Sequence, residues 1–345
     1  MASPASAPVA PGRVRASHRP VDVREADGLP YEEYLEDYVR KNRPVVVRNS
    51  TREWPALRKW TPQFFKDNYP DRMVAVGHGQ TMRFDEFIDG VMASTHEKPG
   101  PYMYRLFFHQ HFPDVLPDLS PPNIYSFPRR HASPLMPEFW RRPDGYWKLL
   151  IGGVGGRFPF MHFDTENAHA AITEIYGDKE FLLYPPSDTP YLYAKPDMPN
   201  QSLVDDPVDQ DLQRFPLLAR ATQYRTVLVP GDTIFVPCGW WHAARALTPS
   251  VSTCSNIIDR SNWDGFVDEV TQVGDTGSRG KGRARQLAKR VYFRGLGHLL
   301  DGLEALQVKH PRLAKALVLP ERIGPATAGV APDPATVRLR IRWAP

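Results

Sequence analysis

The chain has little cysteine and no long apolar run, and both absences exclude whole classes of protein. Cys238 and Cys254 are the two cysteines in 345 residues, which excludes a disulfide scaffold and a cysteine-rich zinc module. Because no run of about 18 apolar residues occurs, no transmembrane helix is predicted. The N-terminus also lacks the continuous apolar segment of a secretory signal. We therefore expect a cytoplasmic protein that does not enter the membrane.

Proline, in contrast, is abundant. The chain has 36 prolines, about 10% of its residues and roughly twice the ordinary share, which argues against a helix bundle and for many short elements joined by turns. The apolar fraction of 41% and the charged fraction of 24% are typical of a globular protein, so disorder over the whole length is excluded. The Ala- and Pro-rich residues 1–20 are predicted to form a disordered tail.

Helix and strand patterns mix in the first 95 residues. Apolar residues at helical spacing predict helices at 28–42, 61–70 and 82–92, the second with Thr61 as its N-cap. The valine-rich run Arg43–Asn49 predicts a short buried strand.

From about residue 100 to residue 260 the pattern is typical of an all-β sandwich or barrel. Short runs of Val, Ile, Phe, Tyr and Thr are separated there by Gly, Pro and Asp. The Pro- and Asp-rich segment 187–220 predicts a long loop between strands. The glycines at 152–156 precede a strand rather than a helix, so they indicate a turn and not a phosphate-binding loop. Helices are predicted again after residue 261.

The sequence His162-Phe163-Asp164 lies in a predicted strand, where residues two apart point to the same face. His162 and Asp164 are therefore expected to project together, with Met161 and Phe163 on the other side. Such a pair alone is more often explained by packing. His242, however, follows a second predicted strand, and two histidines with one carboxylate on a small β-barrel form the facial triad of non-heme Fe(II) oxygenases. We therefore predict a metal site.

Lys179 opens a predicted strand that continues, after Glu180, with the apolar run Phe181-Leu182-Leu183. A lysine is seldom buried without an anionic partner. If it points into a barrel that holds iron, it is suited to bind the distal carboxylate of 2-oxoglutarate. If it lies on an edge strand instead, it only faces water. The nearby triad makes us prefer the first interpretation.

Several ordered motifs give the chain a family resemblance between about Arg43 and Asp259. They are RPVVVRN, WPALRKW, MRFDEF, PYMY, HFD, GDKEFLLYPP, RFP at 214–216, PGDTIFVPCGWWH and the strand of Asn256. The sequence resembles the JmjC-type, cupin-like 2-oxoglutarate oxygenases, in particular the factor-inhibiting asparaginyl hydroxylase of the hypoxia pathway and its bacterial relatives. This implies a mainly β, double-stranded β-helix (jelly-roll) oxygenase domain at 21–260 with flanking helices, followed by a helical region at 261–345.

The resemblance also implies site residues and cofactors. His162, Asp164 and His242 match the family's iron ligands. Lys179 and Tyr102 match the lysine and the tyrosine that bind the far carboxylate of 2-oxoglutarate. The implied cofactors are Fe(II), 2-oxoglutarate as co-substrate and O₂, and no side-chain general base is required.

Two asparagines are implied to lie near the co-substrate, and the match is less regular there. Asn256 matches the asparagine on the strand after the distal histidine, and Asn167 matches the one shortly after the His-x-Asp motif. The stretch before Gly177 is about two residues longer than in the relatives, so His169 competes with Asn167. Pro159 replaces a residue that often carries a hydroxyl, so one hydrogen bond to 2-oxoglutarate is either lost or supplied by another residue.

We expect hydroxylation of a side chain in a peptide or protein, or of an amino-acid-derived metabolite. Decarboxylation of 2-oxoglutarate would give succinate and CO₂. Two alternatives stay open: N-demethylation by the same chemistry, which releases formaldehyde, and a non-catalytic cupin-like protein that binds a metal or ligand.

The C-terminal region carries a basic run and an apolar helix. The basic residues are Arg279, Lys281, Arg283, Arg285, Lys289, Arg290 and Arg294. They could bind RNA, an acidic peptide or an anionic carrier, but we prefer a solvated helix face, and without interleaved aromatics nucleic-acid binding is not expected. The apolar residues between Val291 and Leu306 favour a homodimer, as in the resembling family, over packing within the chain.

Overall fold

The computed structural model describes residues 13–77, 80–127, 129–133, 135–136, 147–272 and 281–309. The strands are, in chain order, β1 (Val14–Arg15), β2 (Arg19–Pro20), β3 (Asp22–Glu25), β4 (Val45–Arg48), β5 (Met73–Gly77), β6 (Gln80–Arg83), β7 (Tyr102–Phe107), β8 (Lys148–Gly152), β9 (His169–Tyr176), β10 (Lys179–Tyr184), β11 (Asp209–Gln210), β12 (Tyr224–Leu228), β13 (Thr233–Val236), β14 (Trp241–Ala246) and β15 (Ser250–Ile257).

Helices flank these strands at both ends of the chain. The α-helices are α1 (Tyr31–Tyr34), α2 (Ala56–Lys59), α3 (Pro62–Asn68), α4 (Phe84–Met92), α5 (Phe108–His111), α6 (Trp263–Gln272) and α7 (Lys281–Lys309). A π-helical turn, Leu35–Val39, continues α1. Short 3₁₀ turns occupy Ala26–Gly28, Pro113–Asp118, Arg129–Ala132, Pro186–Tyr191 and Pro216–Arg220.

Two sheets carry the fold. The larger has the strand order β3-β4-β13-β9-β15-β8-β7, and the smaller has the order β14-β10-β12-β2. Their pairs are antiparallel except β3 with β4 and β2 with β12. Because consecutive partners come from distant parts of the chain, this order is that of a jelly-roll, as the sequence predicted.

The space between the sheets is filled by alternate residues of facing strands. The larger sheet contributes Leu150, Ile172 and Ile234, and the smaller contributes Phe181 and Leu183. Since side chains two apart in a strand share a face, polar residues at the same parity also point into this space.

A second core joins the N-terminal and C-terminal helices. It holds aromatic residues of the α2–α5 region, such as Trp60 and Phe65, together with Trp263 of α6 and Leu296 and Leu300 of α7. One face of α7 therefore packs within its own chain.

Several predicted elements are confirmed. A strand lies at Val45–Arg48 and helices lie at Pro62–Asn68 and Phe84–Met92. The Thr61 side chain caps its helix by accepting a hydrogen bond from the backbone N–H of Phe64 at 3.0 Å.

Two expectations are wrong in part. The predicted strand around His162 is not regular, because backbone pairing there consists of isolated bridges at Arg157 and His162. Pro159 has no N–H to donate to a ladder, which accounts for the break. The predicted tail also ends earlier, because Val14–Arg15 and Arg19–Pro20 pair with β11 and β12. Residues 1–12, like 310–345, lie outside the described residues.

Ion pairs of Arg130 attach α7 to the rest of the chain, and a substitution of Arg130 tests their contribution to stability. Its side chain is 2% exposed and forms ion pairs with Asp301 and Glu304 of α7. Arg130→Leu should lower the free energy of unfolding by about 2 kcal/mol, because it leaves half-buried Glu304 without its cation and Asp301 with only the exposed Arg260. Urea unfolding measures this. Arg294→Ala removes an exposed ion pair to Asp268 and should cost less than about 0.5 kcal/mol. Equal losses in both variants would contradict the packing assigned to α7.

Candidate metal centre

His162 and His242 face each other across a short antiparallel bridge. The backbone N–H of His162 donates to the carbonyl of His242 at 3.0 Å, and the reverse bond is 2.7 Å long. Paired residues in such a bridge carry their side chains on the same side. The two imidazole centroids are accordingly 4.3 Å apart.

Asp164 completes a cluster of three donor groups. Its Oδ1 lies 3.9 Å from Nε2 of His162. One ligand atom from each of His162, Asp164 and His242 lies within 4.8 Å of the other two. Met161 and Phe163 pack away from this cluster, in a separate core with Trp241, as alternation predicts. Two nitrogens and one carboxylate oxygen form the donor set that suits divalent iron.

Backbone carbonyls orient both rings. Nδ1 of His162 donates to the carbonyl of Phe160 at 3.3 Å, and Nδ1 of His242 donates to the carbonyl of Trp240 at 3.1 Å. A proton on Nδ1 leaves the lone pair on Nε2, which is then free to bind a metal. The residues present therefore fit a metal ion.

Burial keeps His162 neutral. Desolvation lowers the pKa of His162 to about 3, the neighbouring His242 contributes to this lowering, and Asp164 opposes the shift. A neutral imidazole is the form that binds a metal, so this ring does not have to lose a proton first.

Lys179 lies on the same face of the smaller sheet as His242. Leu183 is directly opposite His242 in the pairing of β10 with β14, and Lys179 is four residues before Leu183 on the same strand. Four residues of strand span about 13 Å. Lys179 is 0% exposed, so the expectation of an inward-pointing lysine agrees with the structure, and that of a solvated one does not.

The partners of Lys179 come from the larger sheet. Its Nζ donates to Oγ of Ser252 and lies 3.5 Å from Oε2 of Glu174. It also stands 5.5 Å from the ring centroid of Tyr102. Lys179 and Tyr102 are thus brought together as the resemblance implied.

Asn256 and Lys148 form a second polar pair on the inner face of the larger sheet. Nζ of Lys148 donates to Oδ1 of Asn256 at 3.2 Å and stands 5.8 Å from the ring centroid of Phe107. This bond fixes the Asn256 amide with its nitrogen free to donate. Lys148 also helps to lower the pKa of His162, which places its charge near the triad.

The structure does not bring Asn167 or His169 into the pocket. Nδ2 of Asn167 donates to the carbonyl of Asn262 at 3.1 Å, where the backbone of Asn167 has a φ of +47°. His169 is buried against Ser261 and Asp259. Both side chains instead connect the start of β9 to the segment before α6. The predicted role of Asn167 beside the co-substrate therefore has no contact to support it.

Sequence reasoning missed Glu174, Ser252 and Lys148. Glu174 shares its parity in β9 with Ala170 and Ile172, so alternation alone would have placed a carboxylate inside the barrel. The rule that a buried lysine needs an anion also called for such a residue near Lys179. No sequence pattern of this kind indicated that Ser252 belongs to the site.

Aromatic rings cover one side of the triad. The ring of Phe158 stacks on His162 at 4.3 Å between centroids, and Tyr104 lies 4.1 Å from Phe158. Phe160 contacts both Phe158 and His162 edge-on. This wall excludes water from one side of the metal ligands.

A family model describes most of this fold. Residues 30–268 match the model of the cupin-like domain. The chain belongs to the cupin-like domain family. That match includes all three residues of the triad.

Individual relatives are more distant. The chain is 27% identical over 263 residues to lysine-specific demethylase JMJ21 of Arabidopsis thaliana, covering 71% of this chain and 26% of the relative. It is 27% identical over 278 residues to the 2-oxoglutarate and iron-dependent oxygenase JMJD4 of Danio rerio, covering 71% and 63%. It is 25% identical over 250 residues to the human bifunctional peptidase and (3S)-lysyl hydroxylase JMJD7, covering 61% and 75%. The chain thus spans less than two thirds of the first two of these relatives.

Removal of a ligand should abolish metal binding. Because changes even to outer-shell partners of a metal cost about 10–100-fold in affinity, His162→Ala or Asp164→Ala should weaken Mn(II) binding by about 100-fold or more. Free Mn(II) can be counted by electron paramagnetic resonance, with thermal unfolding of the metal-free proteins as a check on folding. His298→Ala, on the exposed side of α7, is the matched control and should bind like the wild type. Wild-type affinity in both ligand variants would exclude this metal site.

Proposed function

We propose that this protein is an Fe(II)- and 2-oxoglutarate-dependent oxygenase. It hydroxylates a C–H bond of a peptide or protein side chain, or of an amino-acid-derived metabolite, and releases succinate and CO₂. One observation supports this proposal most directly. The cluster of His162, Asp164 and His242 and the buried Lys179 lie on one inner face of a jelly-roll. The similarity to JMJD4, a protein named as a 2-oxoglutarate and iron-dependent oxygenase, supports the cofactors.

Each part of the pocket has a role in this proposal. His162, Asp164 and His242 hold the iron on one side and leave the other positions open. Lys179 and Tyr102 bind the distal carboxylate of 2-oxoglutarate. Iron and 2-oxoglutarate, once bound with O₂, supply the oxidising chemistry.

The remaining pocket residues orient and shield. Asn256, whose side-chain oxygen accepts a hydrogen bond from Lys148, would offer its amide nitrogen to the co-substrate. The rings of Phe158, Phe160 and Tyr104 keep water from one side of the iron ligands. Exclusion of water limits turnover that is not coupled to substrate oxidation.

The substrate class is supported by the relatives' names. A lysine-specific demethylase and a lysyl hydroxylase both act on amino-acid side chains, which favours a peptide or protein substrate here. The same site would also serve N-demethylation, in which hydroxylation of an N-methyl carbon is followed by release of formaldehyde. Succinate with formaldehyde would indicate this second outcome.

Two details of the C-terminal helix bear on partners. Arg290 and Arg294 of the basic run both bind Asp268 of α6, which accounts for part of that run by packing within the chain. None of the described helices is long and apolar enough to cross a membrane. The expectations of no nucleic-acid partner and of a cytoplasmic location stay predictions from the sequence.

Succinate formation tests the proposed activity. Wild-type protein with Fe(II), 2-oxoglutarate and air, but no added substrate, should form succinate slowly. His242→Ala should form none above the protein-free background, because the iron loses one of its three ligands. Mass spectrometry of succinate made from ¹³C-labelled 2-oxoglutarate is the measurement. Absence of turnover in the wild type, together with absence of 2-oxoglutarate binding under anaerobic Mn(II), would favour the non-catalytic alternative.

We also propose a homodimer through α7. Leu296 and Leu300 face the protein's own core, whereas Leu287, Val291 and Leu299 lie on the other side of the helix and are each more than half exposed. An apolar stripe of this kind is costly to leave in water and is typical of an interface.

The oligomeric state tests that interface. Leu299→Asp should convert a wild-type dimer to a monomer in light scattering coupled to gel filtration, because it places a charge in the apolar contact. Tyr176→Asp, an exposed residue on β9 far along the chain from α7, is the control and should remain dimeric. A wild-type monomer at micromolar concentration would contradict the dimer.

A further inference from the structure

The pocket for the co-substrate already contains a carboxylate. Glu174 and Lys179 are both 0% exposed, and Oε2 of Glu174 lies 3.5 Å from Nζ of Lys179. Ser252 bridges them: its hydroxyl donates to Oε2 of Glu174 at 2.9 Å and accepts from Nζ of Lys179. Lys179 therefore has a carboxylate and a hydroxyl of its own chain as partners.

The second carboxylate oxygen of Glu174, Oε1, is poorly stabilised. Oε1 is buried and has no hydrogen-bond partner among the described residues. The cation beside the carboxylate is Lys179, and Asp178 in the turn before β10 adds a negative charge nearby. If Lys179 turned to another anion, the negative charge of Glu174 would lie buried without a counter-ion, which is strongly unfavourable.

We propose that the distal carboxylate of 2-oxoglutarate displaces Glu174 from Lys179, and that Glu174, wherever it is ionised in the free protein, takes up one proton as it does so. This inference rests on the proposed function, which places 2-oxoglutarate on Lys179. Two carboxylates cannot both stay ionised on one buried lysine, so one of them must be neutral. Glu174 is the one, because burial raises its pKa to about 8, even with Lys179 and Ser252 opposing that shift.

Other ionisable groups around Glu174 do not titrate in the same range. Lys179 has a raised pKa, because the attraction of Glu174 and Tyr102 outweighs its desolvation. Burial raises the pKa of Tyr102 and raises that of Cys254, on neighbouring β15, to about 11. On the side of β13, Asp232 meets Glu174 through its backbone carbonyl, while its carboxylate binds Arg48. Asp178 is the nearby carboxylate that an experiment must control for.

The ionisation of Glu174 determines how the affinity for 2-oxoglutarate changes with pH. Below about pH 8 Glu174 is neutral in the free protein, Lys179 is available and the dissociation constant of 2-oxoglutarate is independent of pH. Above that pH the ionised Glu174 competes for Lys179, and each bound 2-oxoglutarate must bring one proton with it. Linkage then predicts about tenfold weaker binding at pH 9 than at pH 7.

Anaerobic calorimetry with the Mn(II)-loaded full chain measures both quantities. Titration of 2-oxoglutarate in two buffers of different ionisation enthalpy gives the number of protons taken up. The wild type should take up nearly one proton at pH 9 and almost none at pH 6.5. Glu174→Gln should take up none at either pH and should bind with a dissociation constant that does not change between pH 7 and pH 9.

Asp178→Asn is the matched control, because it removes a neighbouring carboxylate that does not contact Lys179. It should keep the wild-type proton uptake. If Glu174→Gln does not fold, infrared difference spectra of the wild type at pH 9 give a second readout. Binding of ¹³C-labelled 2-oxoglutarate should then produce an unlabelled carboxylic acid band that belongs to the protein.

The results distinguish failure of this inference from failure of the proposed function. Binding at pH 9 without proton uptake, or a Glu174→Gln variant with the wild-type pH dependence, would overturn the displacement of Glu174 and leave the proposed function intact. Absence of 2-oxoglutarate binding at every pH would overturn the proposed function and this inference with it.

Discussion

The short backbone bridge between His162 and His242 is the constraint on which the centre depends. Two hydrogen bonds of 3.0 and 2.7 Å join an irregular segment to the start of β14. They set two imidazoles side by side, and the carbonyls of Phe160 and Trp240 then fix the rings. A metal would meet ligands that are already oriented, so little conformational entropy opposes its binding.

The register of the smaller sheet fixes the position of Lys179 relative to His242. Leu183 lies opposite His242, and period-two alternation places Phe181 and Lys179 on the same face. A slip of one residue in this pairing would turn Lys179 to the outside. The outer face also resists such a slip, because Glu180, fully buried, binds both Arg225 and Arg245 there. The distal lysine and one iron ligand are thus positioned by one sheet.

Sequence reasoning predicted the parts of the site that depend on local pattern. Alternation predicted that His162 and Asp164 share a face, the motif order added His242, and the nearby triad favoured an inward-pointing Lys179. Sequence reasoning failed where contacts between distant parts of the chain determine the local structure. Asn167 is drawn to Asn262 across 95 residues, and the segment 13–20 is ordered by partners in β11 and β12. Composition suggested disorder there because it contains no information about which distant edge is free to pair.

Glu174 shows how one residue can serve both stability and binding. A lysine placed in a barrel to bind a co-substrate would be an unpaired buried charge in the absence of that co-substrate, and the fold would be destabilised. Glu174 and Ser252 offset part of this cost, because their oxygens lie beside Nζ of Lys179 and an ionised Glu174, above about pH 8, adds a counter-charge. A carboxylate fixed permanently on Lys179 would, however, block the co-substrate. A partner whose burial favours its neutral form meets both needs, because its oxygens lie beside the lysine while its neutral form does not compete with the co-substrate for the lysine's charge.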